Sequence, residues 1–467
     1  MNYLKSSFQT VENDVRYHLA QAGGMDVVRL KTDIHAAAAD FSSFYEASDR
    51  APTAIFCAAG DLCTSAKVPE FMRLDETGRQ RFLTLRAALS YWSRHHVDSA
   101  YQRSPSTSSG RQASEVIEQW IADRKVALQV PKKYAGGRLE RLVVGDLGHV
   151  SSLADRYDVV TASGYSVIDN EECLIPFQTI RDPIGFRASG GVVSSAPLYG
   201  RPALVRDGDR FEIVRLDLHD VEVDVPALGL SRIGAGSSSA RLFGRQDGSA
   251  TDEDRGAVDI VVVEDRAVAV CSGGATPVPK AGFIIRASSA LLGEQAVRLL
   301  EEDNRVVIRV PSRPELVAGI QCGPHLMDRG RLLDQELQLR EERFMVARTN
   351  PEAIPVGLQD SVGHLRAART IALVRRDGTL AILVIEGTAS GIANGRETAA
   401  VEAFGATFSE AAEIARREDA EGVMALDSGG SVSLYVRGDK AIDNGDYRRT
   451  AVRHERPLAH ALAFQLS

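Results

Sequence analysis

The chain has 467 residues, which is long enough for two or three domains. Its 44% hydrophobic and 25% charged residues are typical of a soluble globular protein. The formal net charge is −8 at pH 7 and no basic patch with interleaved aromatic residues occurs, which excludes a general nucleic-acid-binding protein.

The five cysteines are scattered, odd in number and include no Cys-x-x-Cys pair, which fits neither a disulfide framework nor a zinc site. The acidic stretch Asp252-Glu253-Asp254 lacks the spacing of a calcium-binding loop. We therefore predict no metal and no cofactor.

Residues 1–26 lack the continuous apolar core of a secretory signal. No stretch approaches the roughly 18 apolar residues that a membrane span requires. We therefore expect a cytoplasmic protein that does not bind membranes.

Residues 1–135 are predicted to form a mostly helical region. Apolar side chains recur at helical spacing over residues 11–22, where Val15 and Leu19 are examples, and again over residues 27–44. Further helical stretches are predicted around residues 82–92 and 115–125. We expect this helical region to provide the surface for a homo-oligomer.

From about residue 138 the pattern changes to short β-rich runs that alternate with glycine and Asp-Gly turns. These runs include residues 141–144, 157–160, 259–263 and 306–310. We place a domain boundary near residue 135, which gives a helical region over 1–135 and a β-rich domain over 136–467.

The last hundred residues predict a hairpin, a helix and a strand in that order. An apolar strand begins at Arg369, Asp377-Gly378 supplies a two-residue turn, and the chain returns to Glu386. Thr407-x-x-Glu410 has the spacing of a helix-capping box. Hairpin, helix and strand together predict an α+β domain.

The most informative stretch is Leu426-Asp427-Ser428-Gly429-Gly430-Ser431, which leads into a second strand. A carboxylate at the end of a buried strand is held by the sheet, and glycines allow a ligand to approach the backbone closely. The same pattern also describes an ordinary tight turn between strands.

Over roughly residues 155–467, these motifs and their order along the chain resemble those of the phosphodiester glycosidase family. The family pattern Leu-Asp-Gly-Gly-Gly-Ser matches residues 426–431, with serine in place of one glycine at Ser428. Upstream, the hairpin residues follow the family's order, and the motif at residues 321–330 is similar to the family's Gly-Gly-Gly-Pro-Leu-Leu segment. The family's opening Asn-Gly-Gly-Phe-Phe has its nearest match in Ala162-Ser163-Gly164-Tyr165, where the asparagine is absent.

The resemblance implies a β-rich, mixed-sheet α+β domain that follows the helical region. It also implies a site in which Asp427 is the first catalytic carboxylate, Glu386 the second, and His325 a proton donor. Arg369 is expected to clamp a phosphate with its planar fork. The other expected substrate-binding residues are Thr370, Ser163, Gly164, Tyr165, Gly323, Ser428, Gly429, Gly430, Ser431 and His460.

The resemblance implies a hydrolase that cleaves the bond between a sugar's anomeric carbon and a phosphodiester oxygen. Its expected partner is a small sugar phosphodiester or glycan rather than nucleic acid. Two alternatives stay open at this point. One is a glycoside hydrolase or transglycosylase that acts on an oligosaccharide without phosphate, and the other is a non-catalytic protein that binds glycans or nucleotides.

Overall fold

The computed structural model describes residues 3–9, 14–30, 126–130, 140–144, 149–166, 179–180, 182–234, 240–292, 304–344, 366–387, 392–393, 396–397, 405–443 and 458–466. These residues are mostly β-sheet. Three α-helices occur among them, namely α1 (Ser289–Leu292), α2 (Gln335–Glu341) and α3 (Phe408–Arg417).

The strands of the described residues are numbered in chain order. The first fourteen are β1 (Tyr3–Gln9), β2 (Asp14–Ala22), β3 (Asp26–Arg29), β4 (Val126–Val130), β5 (Glu140–Val144), β6 (Val159–Ala162), β7 (Thr179–Ile180), β8 (Arg187–Ser189), β9 (Val192–Ser195), β10 (Pro202–Asp207), β11 (Arg210–Arg215), β12 (Glu222–Val225), β13 (Leu230–Ile233) and β14 (Ala240–Phe243). The others are β15 (Glu253–Val263), β16 (Arg266–Gly274), β17 (Gly282–Ser288), β18 (Val307–Arg309), β19 (Leu316–Gln321), β20 (His325–Asp328), β21 (Arg331–Leu332), β22 (Arg369–Arg375), β23 (Leu380–Ile385), β24 (Ile392–Ala393), β25 (Arg396–Glu397), β26 (Ala420–Ser428), β27 (Ser433–Val436), β28 (Asp439–Asp443) and β29 (His460–Phe464).

Four larger sheets contain most of these strands. Their strand orders are β1-β2-β23-β22-β26-β20-β21, β11-β10-β19-β8-β9-β18-β12-β13, β28-β27-β6-β29-β3 and β14-β17-β15-β16. Two small sheets, β4-β5-β7 and β24-β25, complete the described part of the chain. The first, second and third of these sheets position the candidate site.

The strands β22 and β23 lie inside the seven-stranded sheet and are buried along nearly their whole length. On one face, a core that includes Ile371 and Leu373 packs against α3. On the other face, a core that includes Ala372 and Leu426 also contains residues of the five-stranded and eight-stranded sheets, such as Leu462 and Ile320. We call this second cluster the shared core. A strand covered on both faces reads as a continuous apolar run, as these two do.

Several local predictions for the last hundred residues are confirmed. The β22–β23 hairpin turns at Gly378, whose φ of 81° suits glycine. At the start of α3, the Thr407 side chain accepts from the Glu410 N–H, and the Glu410 side chain accepts from the Thr407 N–H. This is the predicted capping box, and it begins the helix that precedes β26.

The prediction of an α+β domain preceded by a mostly helical N-terminal region is wrong, because the described chain is mostly β-sheet. Residues 14–22, predicted as helix, form strand β2. Val15 and Leu19 are four residues apart, a spacing that fits either period, whereas Tyr17 between them is buried in the same core and reveals the period of two.

The N-terminal strands extend sheets that are otherwise formed by later parts of the chain. β2 pairs with β23, and β3 pairs with β29. The helices predicted around residues 82–92 and 115–125, and the domain boundary predicted near residue 135, lie outside the described residues.

Candidate functional site

The candidate site is at one end of the shared core. There, the strands that supply apolar side chains to the core continue with polar residues. Asp427 lies opposite Thr370 in the seven-stranded sheet, and directly opposed residues of an antiparallel pair point to the same face. Thr370 Oγ1 is 3.5 Å from Thr161 Oγ1 of the five-stranded sheet. Asp427 and Thr370 are therefore on the face that packs against the five-stranded sheet.

Asp427 is held in place by the turn that follows it. Its Oδ1 accepts hydrogen bonds from the Ser431 hydroxyl at 2.8 Å and from the Ser428 N–H at 2.6 Å. Gly429 has a φ of 77°, and its N–H donates to the Ala368 carbonyl at 2.9 Å. With Gly430, these residues form a short 3-10 turn that fixes the carboxylate, which is only 6% exposed.

The segment Ser163-Gly164-Tyr165 lies beside the strand that carries Asp427. The Gly164 N–H donates to the Leu426 carbonyl at 3.1 Å. Gly164 has a φ of 87°, and a Cβ there would lie 2.4 Å from Arg187 Nη2. Glycine is therefore required at this position both for its backbone conformation and for the close approach of an arginine.

His460 begins β29 and is directly opposite Arg29 of β3. Because Ala461 pairs with Ala162, the next position along the ladder brings His460 opposite Ser163. Burial, followed by the positive charges of Arg29 and Arg187, lowers the pKa of His460 well below its usual value. The structure thus brings His460 and Ser163 together on one face of the five-stranded sheet.

Glu386 follows β23 at the same end of the sheet as Asp427, with β22 between the two strands. Its carboxylate contacts Lys5 Nζ at 2.9 Å and His18 Nε2 at 2.7 Å, and Arg16 is 3.9 Å away. Burial alone would raise the pKa of Glu386, but the hydrogen bonds from Lys5 and His18 outweigh this effect and lower it. Glu386 is therefore ionised at neutral pH.

Arg369 pairs with Ser428 and Ile385, so it lies on the face opposite to Thr370 and Asp427. Its guanidinium stacks on the Phe408 ring at 3.9 Å, and its Nε donates to the Ala406 carbonyl at 3.1 Å. Burial lowers the pKa of Arg369 to about 10. Both of these contacts attach the strand to the segment that begins α3.

His325 and Gly323 belong to a second buried cluster, centred on Glu342. The Glu342 carboxylate accepts from the His325 N–H at 3.1 Å, and burial raises the pKa of Glu342 to about 8. Burial, and then Arg215, lowers the pKa of His325. Among the described residues, His325 Nε2 has no hydrogen-bond partner.

Tyr165 connects this second cluster with Asp427. Its hydroxyl donates to the Gly323 carbonyl at 2.8 Å, and its ring lies 5.5 Å from the Phe344 ring. Burial raises the pKa of Tyr165, and the nearby groups Cys322 and Asp427 add to the effect. The phenol is therefore neutral and donates to Gly323, within electrostatic range of the candidate carboxylate.

Sequence reasoning missed several ionisable residues around these clusters. Arg187, Arg201, Glu342 and His18 are all buried. Arg201 Nε donates to the Glu342 carbonyl at 2.8 Å, and its guanidinium lies 3.8 Å from the Phe344 ring. These residues have no motif around them, because contacts between distant strands give them their environment.

Among the described residues, no group of three or more His, Cys, Asp or Glu side chains could hold a metal ion. The helices in this part of the chain are too short or too polar to cross a membrane.

Comparison with known proteins identifies part of the chain. Residues 257–465 match the family model of phosphodiester glycosidases. This region, a little under half of the chain, resembles the phosphodiester glycosidase family. The resemblance inferred from the motifs is thereby confirmed over these residues. The matched region contains Asp427, Glu386, His325, Arg369 and His460, whereas Ser163, Gly164 and Tyr165 lie before it.

Three solved structures are similar at low identity. A hypothetical protein from Synechocystis is 16% identical with a TM-score of 0.38, and the match covers 69% of this chain and 54% of that one. A putative exported protein from Burkholderia pseudomallei K96243 is 16% identical with a TM-score of 0.43, and the match covers 99% and 96%. The chain thus spans about half the length of the Synechocystis protein and nearly all of the Burkholderia protein.

The third similar structure is the catalytic domain of zebrafish N-acetylglucosamine-1-phosphodiester alpha-N-acetylglucosaminidase, auto-inhibited by its pro-peptide. It is 12% identical with a TM-score of 0.31, and the match covers 73% of this chain and 82% of that one. No curated protein matches the chain.

Proposed function

We propose that this protein is a hydrolase that cleaves the bond between a sugar's anomeric carbon and a phosphodiester oxygen. Water adds to the anomeric carbon, and the carbon–oxygen bond breaks with its electron pair going to the phosphate oxygen. The products are the free sugar and a phosphate monoester. The match of residues 257–465 to the phosphodiester glycosidases supports this reaction class.

The observation that carries the proposal is the arrangement of Asp427. Its Oδ1 is held by Ser431 and by the Ser428 N–H, at the end of a buried strand. A carboxylate fixed in this way can stabilise positive charge at the anomeric carbon, attack that carbon, or take a proton from water. We assign one of these tasks to Asp427.

Glu386 is the second carboxylate of the proposed mechanism. Because Lys5 and His18 keep it ionised, it is suited to electrostatic stabilisation or to accepting a proton rather than to donating one. A departing phosphate monoester is already a stable anion, so the reaction has less need of an acid than ordinary glycoside hydrolysis. The ionised state of Glu386 is thus compatible with a phosphodiester substrate.

The test compares hexose and N-acetylhexosamine 1-phosphodiesters with the matching methyl glycosides, using the purified full chain. We expect free sugar to be released from a phosphodiester and not from the methyl glycoside. Replacing Asp427 by asparagine should lower kcat by ~10²–10⁴-fold, the usual effect of losing an acid–base group. Asp377→Asn is the matched control, because this carboxylate lies in the exposed β22–β23 turn and should leave kcat unchanged.

Other outcomes would contradict the proposal in distinguishable ways. Equal turnover of the methyl glycosides would indicate a glycoside hydrolase or transglycosylase. Sugar-phosphate binding without any turnover in the wild type would indicate a non-catalytic binding protein. Full turnover in both Asp427→Asn and Glu386→Gln would show that the assignment of the carboxylates is wrong.

A further inference from the structure

Arg187 in β8 is a buried cation whose hydrogen bonds go to neutral groups. Its Nη1 donates to the carbonyls of Phe186 at 2.7 Å and Gln321 at 2.9 Å, and its Nη2 donates to the Tyr165 carbonyl at 3.2 Å. The side chain is 1% exposed, and its Nε has no hydrogen-bond partner among the described residues. A buried charge is costly unless a counter-charge or further hydrogen bonds offset its desolvation.

A row of polar residues in the five-stranded sheet lies next to this guanidinium. The row consists of His460 and Arg29, which are directly opposed and point to one face, and of Ser163, which follows the Ala162 that pairs with Ala461. The close approach of Arg187 to Gly164 brings its guanidinium to this row. The Ser163 hydroxyl is buried and, like Arg187 Nε, has no hydrogen-bond partner in the described part of the chain.

Among the residues that the structure describes, the charges in this group do not balance. Arg29 Nη1 forms an ion pair with Glu264 at 2.8 Å, and the same carboxylate acts electrostatically on Arg187, so one carboxylate serves two guanidinium groups. His460 is neutral near pH 7, since burial, Arg29 and Arg187 all lower its pKa. The Cys322 thiol is also neutral, because burial raises its pKa to about 11. Counted over the described residues, the group therefore carries a net positive charge, and its members Arg187 and His460 are buried.

We propose that Arg187, Ser163 and His460 form a binding site for a phosphate group, with Arg29 adding positive charge. The guanidinium, the hydroxyl and the imidazole supply hydrogen-bond donors, and the phosphate supplies the missing negative charge. This site adds detail to the proposed function. It rests on that function in one respect, which is the identification of the bound phosphate as the substrate's. It assigns the phosphate contact to Arg187 rather than to Arg369, which lies on the far face of β22.

The position of this site agrees with the proposed reaction. Gly164, which follows Ser163, donates its N–H to the carbonyl of Leu426, the residue before Asp427. A phosphate bound beside Ser163 would therefore lie next to the strand end that carries the candidate carboxylate. The reaction breaks the bond between the anomeric carbon of the sugar and the phosphate oxygen. Each of these two atoms would then have protein groups beside it.

The test measures binding of inorganic phosphate and of glucose 1-phosphate to the full chain by isothermal titration calorimetry, at an ionic strength held constant with potassium chloride. We expect saturable binding that weakens at least tenfold in Arg187→Gln and severalfold in Ser163→Ala. Tighter binding of glucose 1-phosphate would assign the site to the substrate's phosphate. Equal binding would assign it to free phosphate, and either result supports the site.

Arg245 provides a matched control. It is also buried, and its Nη1 donates to the carbonyls of Ser249 and Val278. Arg245→Gln should therefore lower thermal stability while leaving phosphate binding within twofold of the wild type. If Arg187→Gln does not fold, Arg187→Lys and Ser163→Ala replace it, and both should still bind phosphate less tightly than the wild type.

Absence of saturable binding to the wild type, or wild-type affinity in the Arg187 and Ser163 variants, would overturn the inference and leave Arg187 with a structural role only. The result of this binding experiment can be distinguished from the result of the hydrolysis test of the proposed function. Phosphate binding that depends on Arg187 without any hydrolysis would support the site and contradict the activity. Hydrolysis with an unchanged KM in Arg187→Lys would support the activity and contradict the site.

Discussion

His18 Nε2 lies 2.7 Å from Glu386 Oε1 and joins strand β2 near the N-terminus to the end of strand β23. The other ring nitrogen of His18 is 2.5 Å from the Tyr3 hydroxyl, and Lys5 Nζ is 2.9 Å from the same carboxylate oxygen. His18 is 2% exposed, so this hydrogen bond is shielded from water. Residues outside the family-matched region thus fix the ionisation state and position of a carboxylate inside it.

Glu386→Gln is predicted to destabilise the protein at pH 7. The folded-state pKa of Glu386 is lower than its usual value, so the carboxylate contributes stability that is present above about pH 4.5 and lost as the pH falls through the folded-state pKa. We expect the free energy of unfolding to fall by about 1–3 kcal/mol at pH 7, as is usual when a charged hydrogen bond is lost. Urea denaturation at pH 7 and at pH 4 measures this change.

Glu421→Gln is the control for this experiment, because Glu421 is partly exposed and lies 3.7 Å from the exposed Arg376. Its removal should change the free energy of unfolding by less than about 0.5 kcal/mol, as for other surface substitutions. A Glu386→Gln effect that is equally large at pH 4 and pH 7 would show that the carboxylate's charge is not the source of the stability.

Glu342→Gln is predicted to flatten the dependence of stability on pH. Burial raises the pKa of Glu342 to about 8, so the folded protein holds a proton that the unfolded chain releases near pH 4.5. In the wild type, this residue therefore costs stability progressively as the pH rises from about 4.5 to about 8. Glutamine keeps an oxygen that can accept from the His325 N–H but does not titrate.

Thermal unfolding between pH 5 and pH 8.5 measures this difference. We expect the Tm of Glu342→Gln to fall less with rising pH than that of the wild type. Glu336→Gln, at an exposed position of the same helix, should keep the wild-type slope. Parallel curves for the wild type and Glu342→Gln would contradict the prediction.

The sequence predicted the C-terminal hairpin and its helix because their signals are local. Asp377-Gly378 specifies the turn, and Thr407 with Glu410 specifies the start of α3. Strand β2 was predicted wrongly because Val15 and Leu19 satisfy both a helical and a strand period. Its strand form is stabilised by pairing with β23, which follows it by more than 350 positions and leaves no local signal.

For a similar reason, only part of the candidate site could be predicted from the sequence. Asp427 and its turn form a contiguous motif whose local geometry follows from two glycines and a serine. The environment of Arg187 arises where β6, β8 and β29 approach one another, so no spacing of residues reveals it. The orientation of Arg369, in contrast, can be predicted from the sequence. Period-two alternation along β22 alone determines that Arg369 and Thr370 point to opposite faces of the sheet.

Arg369→Lys is predicted to destabilise the fold. Lysine keeps the positive charge but loses the planar group that stacks on Phe408 at 3.9 Å and the Nε that donates to Ala406. We expect the free energy of unfolding to fall by about 1–3 kcal/mol, from the lost stacking and hydrogen bond. Arg376→Lys, at a side chain that is 91% exposed, should leave it unchanged. Unchanged stability together with a raised KM would instead indicate that Arg369 contacts the substrate.

Gly323→Ala is predicted to disrupt the contact between the Glu342 cluster and the turn that precedes β20. Gly323 has a φ of 139°, and a Cβ there would lie 2.6 Å from Glu342 Oε2 and 2.7 Å from the Phe344 ring. Backbone strain and overpacking together should lower the free energy of unfolding by about 2–5 kcal/mol. Gly330→Ala is the comparison variant, since Gly330 also has a positive φ, 73°, but nothing within 4 Å of a Cβ. It should show the cost of a left-handed backbone without overpacking, about 1–2 kcal/mol. Equal losses of stability in the two variants, measured by urea denaturation, would show that Glu342 and Phe344 move aside and that packing does not require glycine at position 323.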